Sequence, residues 1–592
     1  MNSIPGYIVV PLLGLLLFTF PGILFLRLFE GFNTLARVIA TIFLSIGSWI
    51  CLSWFISWGG LPLSYSVFAL LALFVTYYLT ANARKLEGSF SGIHYRTWPL
   101  HYILLAVVLL ILLMPLLFIT IPPGCDTAMH GYITRLIVNN NGLPHSYRPI
   151  LPVDYFGSYS AGYHIMTALV GGVSVIYLRD AINFMSIMAY PLSLLGLIFA
   201  LRNFFSEKTS VFTAVIFFCI NRTYLGTVWW GGNPSILAFA FCLFSFGLFM
   251  HGVQNKRSWP LYCCAIPVAA VPLCHAIPAI TFVYVAFIGY VLVLYYYRIQ
   301  LKWVVTNTVK LVIGVVVLLF PFLLHFKNIN SPELLLMIKN WQHDMMRGKM
   351  TGKPLADLWV TLDRIEYRIG DELTILAGIS LAVLLYLRKF KPLIFTGILM
   401  LFIYILVYNS GYWFLPLSEL LYPERVVYFM IVCWAFIFGY FMTELEYSNR
   451  GWRLFRRKVT LYAGVVMIMV GIALKSVIDE ELGVCKTDKI NCNKGTRAAF
   501  KWINDNTGPD ALFVASYADA GMWIPTFTNK PTIGTHLHFI HEVQHVRDSL
   551  NAAPGPRFYF MTKRDIGTKS DIMAMVTNKS KVFANNEVEI YQ

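Results

Sequence analysis

The sequence predicts a polytopic α-helical membrane protein that ends in a small α/β domain, and three observations predict it. Hydrophobic residues fill 57% of the 592 positions and charged residues only 13%, for a mean hydropathy of +0.64, so a bilayer has to be the main solvent. Apolar stretches of roughly twenty residues, the length at which a helix crosses the hydrocarbon, recur through residues 1–477. Basic residues gather in alternate short loops, as they do on the cytoplasmic side of a multi-spanning chain.

The apolar stretches place about fourteen spans, near 7–27, 37–58, 63–82, 101–121, 181–201, 209–225, 234–253, 260–275, 277–297, 303–326, 371–388, 391–409, 425–444 and 459–477. The first has no basic segment ahead of it and no small-residue cleavage site, so it reads as a retained helix. The formal charge of +16 sits between spans: Arg84/Lys85/Arg96, Arg202/Lys208, Lys256/Arg257, Arg298/Lys302, Arg388/Lys389/Lys391 and Arg450/Arg453/Arg456/Arg457/Lys458. That distribution points to membrane lipids and not to nucleic acid as the partner of the charge.

The hydrophobic segment Tyr159 to Leu178 disturbs the alternation if it is counted as a span. Read as a helix along the outer interface, it leaves 122–180, 226–233, 327–370, 410–424 and the chain after about 478 on one extracytoplasmic side. The expected organisation is therefore a multi-pass membrane region, 1–477, with outer loops 122–180, 327–370 and 410–424, followed by an extracytoplasmic α/β domain, 478–592. In that domain Ala499, Phe500, Trp502 and Ile503 have helical spacing, and Asn506-Thr-Gly-Pro makes a turn. Runs at 511–515, 557–562, 581–584 and 588–591 read as strands. Most of the ten cysteines lie inside spans as small apolar residues. Cys485 and Cys492 are outside them and would permit a disulfide in an oxidising compartment.

The stretch richest in chemistry follows the fourth span. Asp126 opens a run in which His130, Ile133 and Ile137 recur at helical intervals, so Asp126 and His130 share a direction at the membrane surface. Such a carboxylate can take a proton from an acceptor hydroxyl; it can equally serve as an N-cap.

This layout resembles the GT-C superfamily of membrane glycosyltransferases, in which an acid near the start of the first large outer loop is followed by interfacial helices. The matching positions are Asp126, the helix it opens and the 159–178 segment. The pattern of Asp126 with Tyr132, Thr134, Arg135 and Asn141-Gly142 is similar to the catalytic subunit of oligosaccharyltransferase. So is Ala515-Ser-Tyr-Ala-Asp-Ala-Gly-Met-Trp-Ile-Pro-Thr-Phe-Thr-Asn-Lys-Pro-Thr-Ile. The WWDYG signature of that enzyme is absent, its place reading Ser516-Tyr-Ala-Asp519-Ala-Gly521, which argues against transfer of whole glycans to asparagine.

The resemblance implies a polyprenyl-phosphate-linked sugar donor and a glycan, lipid or protein acceptor that presents a hydroxyl on the extracytoplasmic face. Asp126 would then be the base, with His130 assisting. A phosphate donor needs cations: Arg425, beside Glu424 at the end of a span, is the first candidate, and Arg364 and Arg368 in the preceding loop are others. Each can equally be an arginine reaching for the interface. His164, His275, Asp519 and the pair Trp229-Trp230 in Trp-Trp-Gly-Gly-Asn-Pro are candidate substrate contacts, although interfacial tryptophans and structural histidines are common. A divalent metal would suit a pyrophosphate donor, but the leading reading requires none.

Two other classes compete. His541-Glu542-Val-Gln-His545 matches HExxH, in which two histidines hold zinc and the glutamate activates water, so a membrane-anchored zinc hydrolase is one alternative. A transporter of a lipid-linked solute is the other. It would need acids or broken helices at the bilayer midplane, and few charges lie inside the spans.

Overall fold

The computed structural model describes residues 5–592 except 30, 67, 69–71, 73–98, 120, 123, 153–155, 157–159, 221–230, 330–353, 410–414, 416–420, 422, 448–470, 472–474, 476–477, 480–492, 517–519, 534–542 and 563–569. The first helices are α1 (Gly6–Thr19), α2 (Thr34–Trp58), α3 (Leu100–Leu113), α4 (Cys125–Asn140) and α5 (Gly162–Val170). Next come α6 (Leu178–Leu201), α7 (Glu207–Ile220), α8 (Asn233–Gln254), α9 (Ser258–Cys263), α10 (Ala265–Cys274) and α11 (Ala276–Tyr296). The membrane region closes with α12 (Leu301–Ile329), α13 (Pro354–Ile369), α14 (Asp371–Tyr386), α15 (Phe390–Asn409) and α16 (Pro423–Tyr447).

Among the described residues nine helical stretches are long and apolar enough to cross a membrane, and each coincides with an expected span. Three more expected spans are shorter helices, at 207–220, 258–274 and 371–386. The remaining two, 63–82 and 459–477, lie largely outside the described residues. The expected count of fourteen is therefore not confirmed: nine helices among the described residues are long and apolar enough to cross.

Two of the expected outer loops contain helices packed on the bundle. In the 159–178 segment, expected as a helix along the outer interface, helix α5 is nine residues long and every one of them is buried. It is too short to span and is wedged among α2, α4, α6 and α10. Gly162 makes the wedge possible, because a Cβ there would stand 2.8 Å from the Leu273 carbonyl. Residues 354–369, expected as part of a loop, form α13, an amphipathic helix packed on α14, α15 and α16.

Helices α6, α8 and α16 run parallel at the centre. Ser193 of α6 donates to the Ile236 carbonyl of α8 at 3.0 Å, and Gly196 abuts Ala240. Phe239 of α8 meets Tyr428 and Phe429 of α16 at 5.6 and 5.2 Å, and Phe246 meets Phe436 one level further on. These pairs place the first turns of α8 and α16 side by side. They also set the start of α8 about twelve residues, roughly 18 Å of helix rise, beyond the start of α6. The first turn of α8 is therefore recessed inside the bundle, and α4 and α5 fill the space ahead of it.

The tail carries α17 (Lys494–Asn506), α18 (Ile524–Thr528), α19 (Val543–Ala552) and α20 (Ser570–Val576). Its strands are β1 (Leu512–Ala515), β2 (Thr532–Ile533), β3 (Arg557–Thr562), β4 (Lys581–Ala584) and β5 (Val588–Tyr591), in the order β2-β1-β3-β5-β4. β1 is parallel to β2 and β3, while β5 is antiparallel to β3 and β4. Four strands stand where the alternation placed them; two-residue β2 is too short to leave a pattern. Phe500 of α17 stacks on Phe560 of β3 at 5.9 Å and fixes helix to sheet.

Candidate active site

Asp126 sits in the first turn of α4. The N-cap is Gly124, at φ 107°, so the carboxylate is not the cap of its helix. Asp126 is half-buried, whereas Thr127 through Thr134 are buried without a break. Helix α4 thus presents one acid at its rim and a buried face below it.

On that face His130 pairs with two partners. Its Nε2 lies 2.9 Å from the Gly231 carbonyl and its Nδ1 lies 3.1 Å from Nε2 of His164. A carbonyl only accepts, so hydrogen-bond logic assigns the His130 proton to Nε2; Nδ1 of the neutral ring then accepts from Nε2–H of His164. His164, on α5, is 0% exposed. Burial, then the neighbouring His130 and His275, hold its pKa well below the ordinary 6.5.

His275 joins α10 to α11. Its Nδ1 accepts from the Ile277 N–H at 3.2 Å, so it caps α11 and is left with Nε2–H as a donor. Arg425 occupies the first turn of α16, is 6% exposed and donates from Nη1 to the Tyr428 hydroxyl at 3.1 Å. An arginine reaching for an interface would be exposed; this one is held inside.

Five of the residues picked from the sequence, Asp126, His130, His164, His275 and Arg425, therefore share one end of the bundle. Arg364 and Arg368 lie on α13, whose helix packs against α16, and Glu424 lies in the first turn of α16; the side chains of these three are outside the described residues. Trp229, Trp230, Asp519 and His541 are outside them altogether, as are Cys485 and Cys492, and only the backbone of His545, on α19, is described. Among the described residues no three His, Cys, Asp or Glu side chains gather closely enough to hold a metal ion.

Sequence reasoning missed the role of Gly231. At φ 110° it lies so close to α4 that a Cβ would meet the Thr127 nitrogen at 2.5 Å and the Asp126 Cβ at 2.8 Å. The Gly-Gly pair was visible, but its tryptophan neighbours drew the reading toward stacking. The second omission is the tail contact. Thr526 donates to the Ala128 carbonyl at 3.3 Å, Arg135 donates to the Thr526 carbonyl at 3.2 Å, and Asn139 donates to Asn529 at 3.0 Å. Burial depresses the Arg135 pKa. A Cβ at Gly131 would strike the Trp523 ring at 2.8 Å, so helix and tail meet nearly backbone to side chain.

The helical bundle and its small α/β tail have the fold of ArnT. The chain superposes on the crystal structure of ArnT from Cupriavidus metallidurans bound to undecaprenyl phosphate with a TM-score of 0.51, 13% identity, and coverage of 83% of this chain and 97% of that one. The apo crystal structure of the same ArnT gives a TM-score of 0.45 at 13% identity, again covering 83% of this chain and 97% of that one. No curated protein matches the chain. A profile described as a family of unknown function, DUF6541, matches residues 15–537, and the chain belongs to that family.

Proposed function

We propose that the protein transfers a sugar from a polyprenyl-phosphate-linked donor to an acceptor hydroxyl on the extracytoplasmic face of the membrane. The observation that carries this reading is the position of Asp126: one accessible carboxylate at the rim of a buried helix, with Arg425 and three histidines grouped behind it. The fold shared with ArnT, whose structure holds undecaprenyl phosphate, supports the class of donor.

In this mechanism the acceptor O–H gives its proton to Asp126 as its oxygen bonds to the anomeric carbon. The bond from that carbon to the phosphate oxygen breaks on the opposite face, so the configuration inverts. Polyprenyl phosphate leaves with the electron pair, and Arg425 stabilises the charge that grows on it. His130 is held through Gly231 and His164 and keeps the α4 rim in place. The tail, seated on α4 beside Asp126, would close over the acceptor.

The test is transfer of a labelled sugar from polyprenyl phosphate by full-length protein in nanodiscs. Loss of a positioned base costs roughly 10²–10⁴-fold, so Asp126→Asn and Asp126→Ala should each reduce the rate at least ~100-fold while leaving the melting temperature near that of the wild type. Transfer at the wild-type rate by Asp126→Asn would refute the assignment of the base.

A further inference from the structure

The first turn of α8 gathers hydrogen-bonding groups that have no partner among the described residues. Gly231 and Gly232 lead the chain into a 22-residue helix that begins Asn233-Pro234-Ser235. The Ile236 N–H returns to the Gly232 carbonyl at 3.1 Å. Pro234 has no N–H, so the outward donors of this turn are the amides of Asn233 and Ser235. Both residues are 0% exposed. Among the described residues, Oδ1 and Nδ2 of Asn233 and Oγ of Ser235 have no hydrogen-bond partner. Buried polar groups are almost always paired, and three empty ones in a single turn mark a place that something else fills.

The surroundings say what would fill it. The turn is the positive end of a long helix dipole, and the first turn of α16 lies alongside at the same level, bringing a second dipole and Arg425. The carbonyl just ahead of the turn is held by His130. Two helix N-termini, a guanidinium, a hydroxyl and an amide N–H all suit phosphate oxygens. Asn233 Oδ1 only accepts, so it would repel a phosphate oxygen and would pair with an O–H. A phosphate bearing a hydroxylated substituent satisfies all three empty atoms at once.

We propose that the first turn of α8 is the seat of the sugar-phosphate group of a lipid-linked donor: Asn233 Nδ2 and Ser235 Oγ donate to the phosphate, and Asn233 Oδ1 accepts from a sugar hydroxyl next to it. The proposal rests on the donor class argued above and adds the site that reads the junction of phosphate and sugar. Gly232 then adds no side chain to the turn, and Pro234 adds no competing N–H.

Full-length protein in nanodiscs would be titrated with two probes, polyprenyl phosphate and polyprenyl phosphate carrying a single sugar, with affinity and melting temperature read together. Ser235→Ala should weaken both probes by about the same factor, ~3- to 10-fold. Asn233→Ala should weaken the glycosylated probe ~10-fold or more and the bare phosphate less. Asn233→Asp should weaken both by more than ~10-fold through repulsion. Without ligand, Asn233→Ala and Ser235→Ala should melt no lower than the wild type, because truncation removes buried unpaired atoms. If both alanine variants bind both probes as the wild type does, or melt lower with affinity unchanged, the residues are structural and the site is refuted while the donor class stands. If the wild type binds neither probe, the donor class falls and the site with it.

Discussion

His164 is a neutral imidazole by circumstance. It is fully enclosed, and its neighbours along the cluster are His130 and His275, so protonation would place an uncompensated charge inside the bundle. Because its pKa in the folded protein lies below the ordinary 6.5, the unfolded chain binds the extra proton. Its contribution to stability is complete above that value and falls as the pH drops through it, with a limiting slope of about 1.4 kcal/mol per pH unit. Between pH 7.5 and 5.5 the wild type should therefore lose more of its melting temperature than His164→Gln, which keeps a donor toward His130. Equal losses in nanodisc melting curves would show that His164 is not the group being protonated. The ring of His275 caps α11, so its replacement would disturb that helix.

At the scale of elements, the site depends on two glycines that let chain segments approach α4 closely. Gly231 touches the backbone at Thr127 and Gly131 faces Trp523. Gly231→Ala would place a methyl group against backbone at a φ that side chains rarely adopt; a cost of about 1–3 kcal/mol and displacement of the Asp126 turn should follow. Thermal unfolding and transfer should fall together, and a variant that melts normally and transfers normally would contradict the close packing. Gly131→Leu should act differently, because the groups it would strike, Trp523 and Thr526, are side chains of the tail and not backbone of the bundle. Its expected effect is faster limited proteolysis near 520–529 with helix content preserved in circular dichroism. An unchanged cleavage rate would mean that the contact on α4 does not hold the tail.

At the scale of the whole molecule, the arrangement requires that the α4 rim, the recessed turn of α8 and the tail all face the extracytoplasmic side. That sidedness rests on the alternation of basic loops, and the tail offers a direct measurement. Residues 578–580 are exposed, and the seven described free cysteines are all buried. In a Cys125→Ser, Cys485→Ser, Cys492→Ser background, Ser580→Cys should react with a membrane-impermeant maleimide in intact cells. Labelling only after permeabilisation would put the tail in the cytoplasm and turn the proposed mechanism to the wrong face. The bundle itself buries its centre, α6 and α8, most completely, while α3, α11, α12 and α15 keep apolar faces outward for lipid.

How much of this was legible follows from what each feature depends on. The spans could be read because crossing hydrocarbon needs a long local run of apolar residues, and the tail strands because a pleated chain alternates or buries whole runs. Asp126, His130 and Arg425 could be picked because polar residues next to spans are few. The burial of α5 could not be read, since a short apolar helix suits an interface and a protein interior equally, and only the packing of Gly162 on Leu273 separates them. Nor could the grouping of Asp126, the Gly231–Asn233 turn and Arg425, because these three places are separated by a hundred or more positions and come together only when α8 and α16 run parallel. The amino-acid sequence alone determined the solvent, the crossings and the kinds of chemical group at hand. The tertiary structure decided which groups stand together and which polar atoms are left empty, for distance and satisfaction are properties of packing and not of order along the chain.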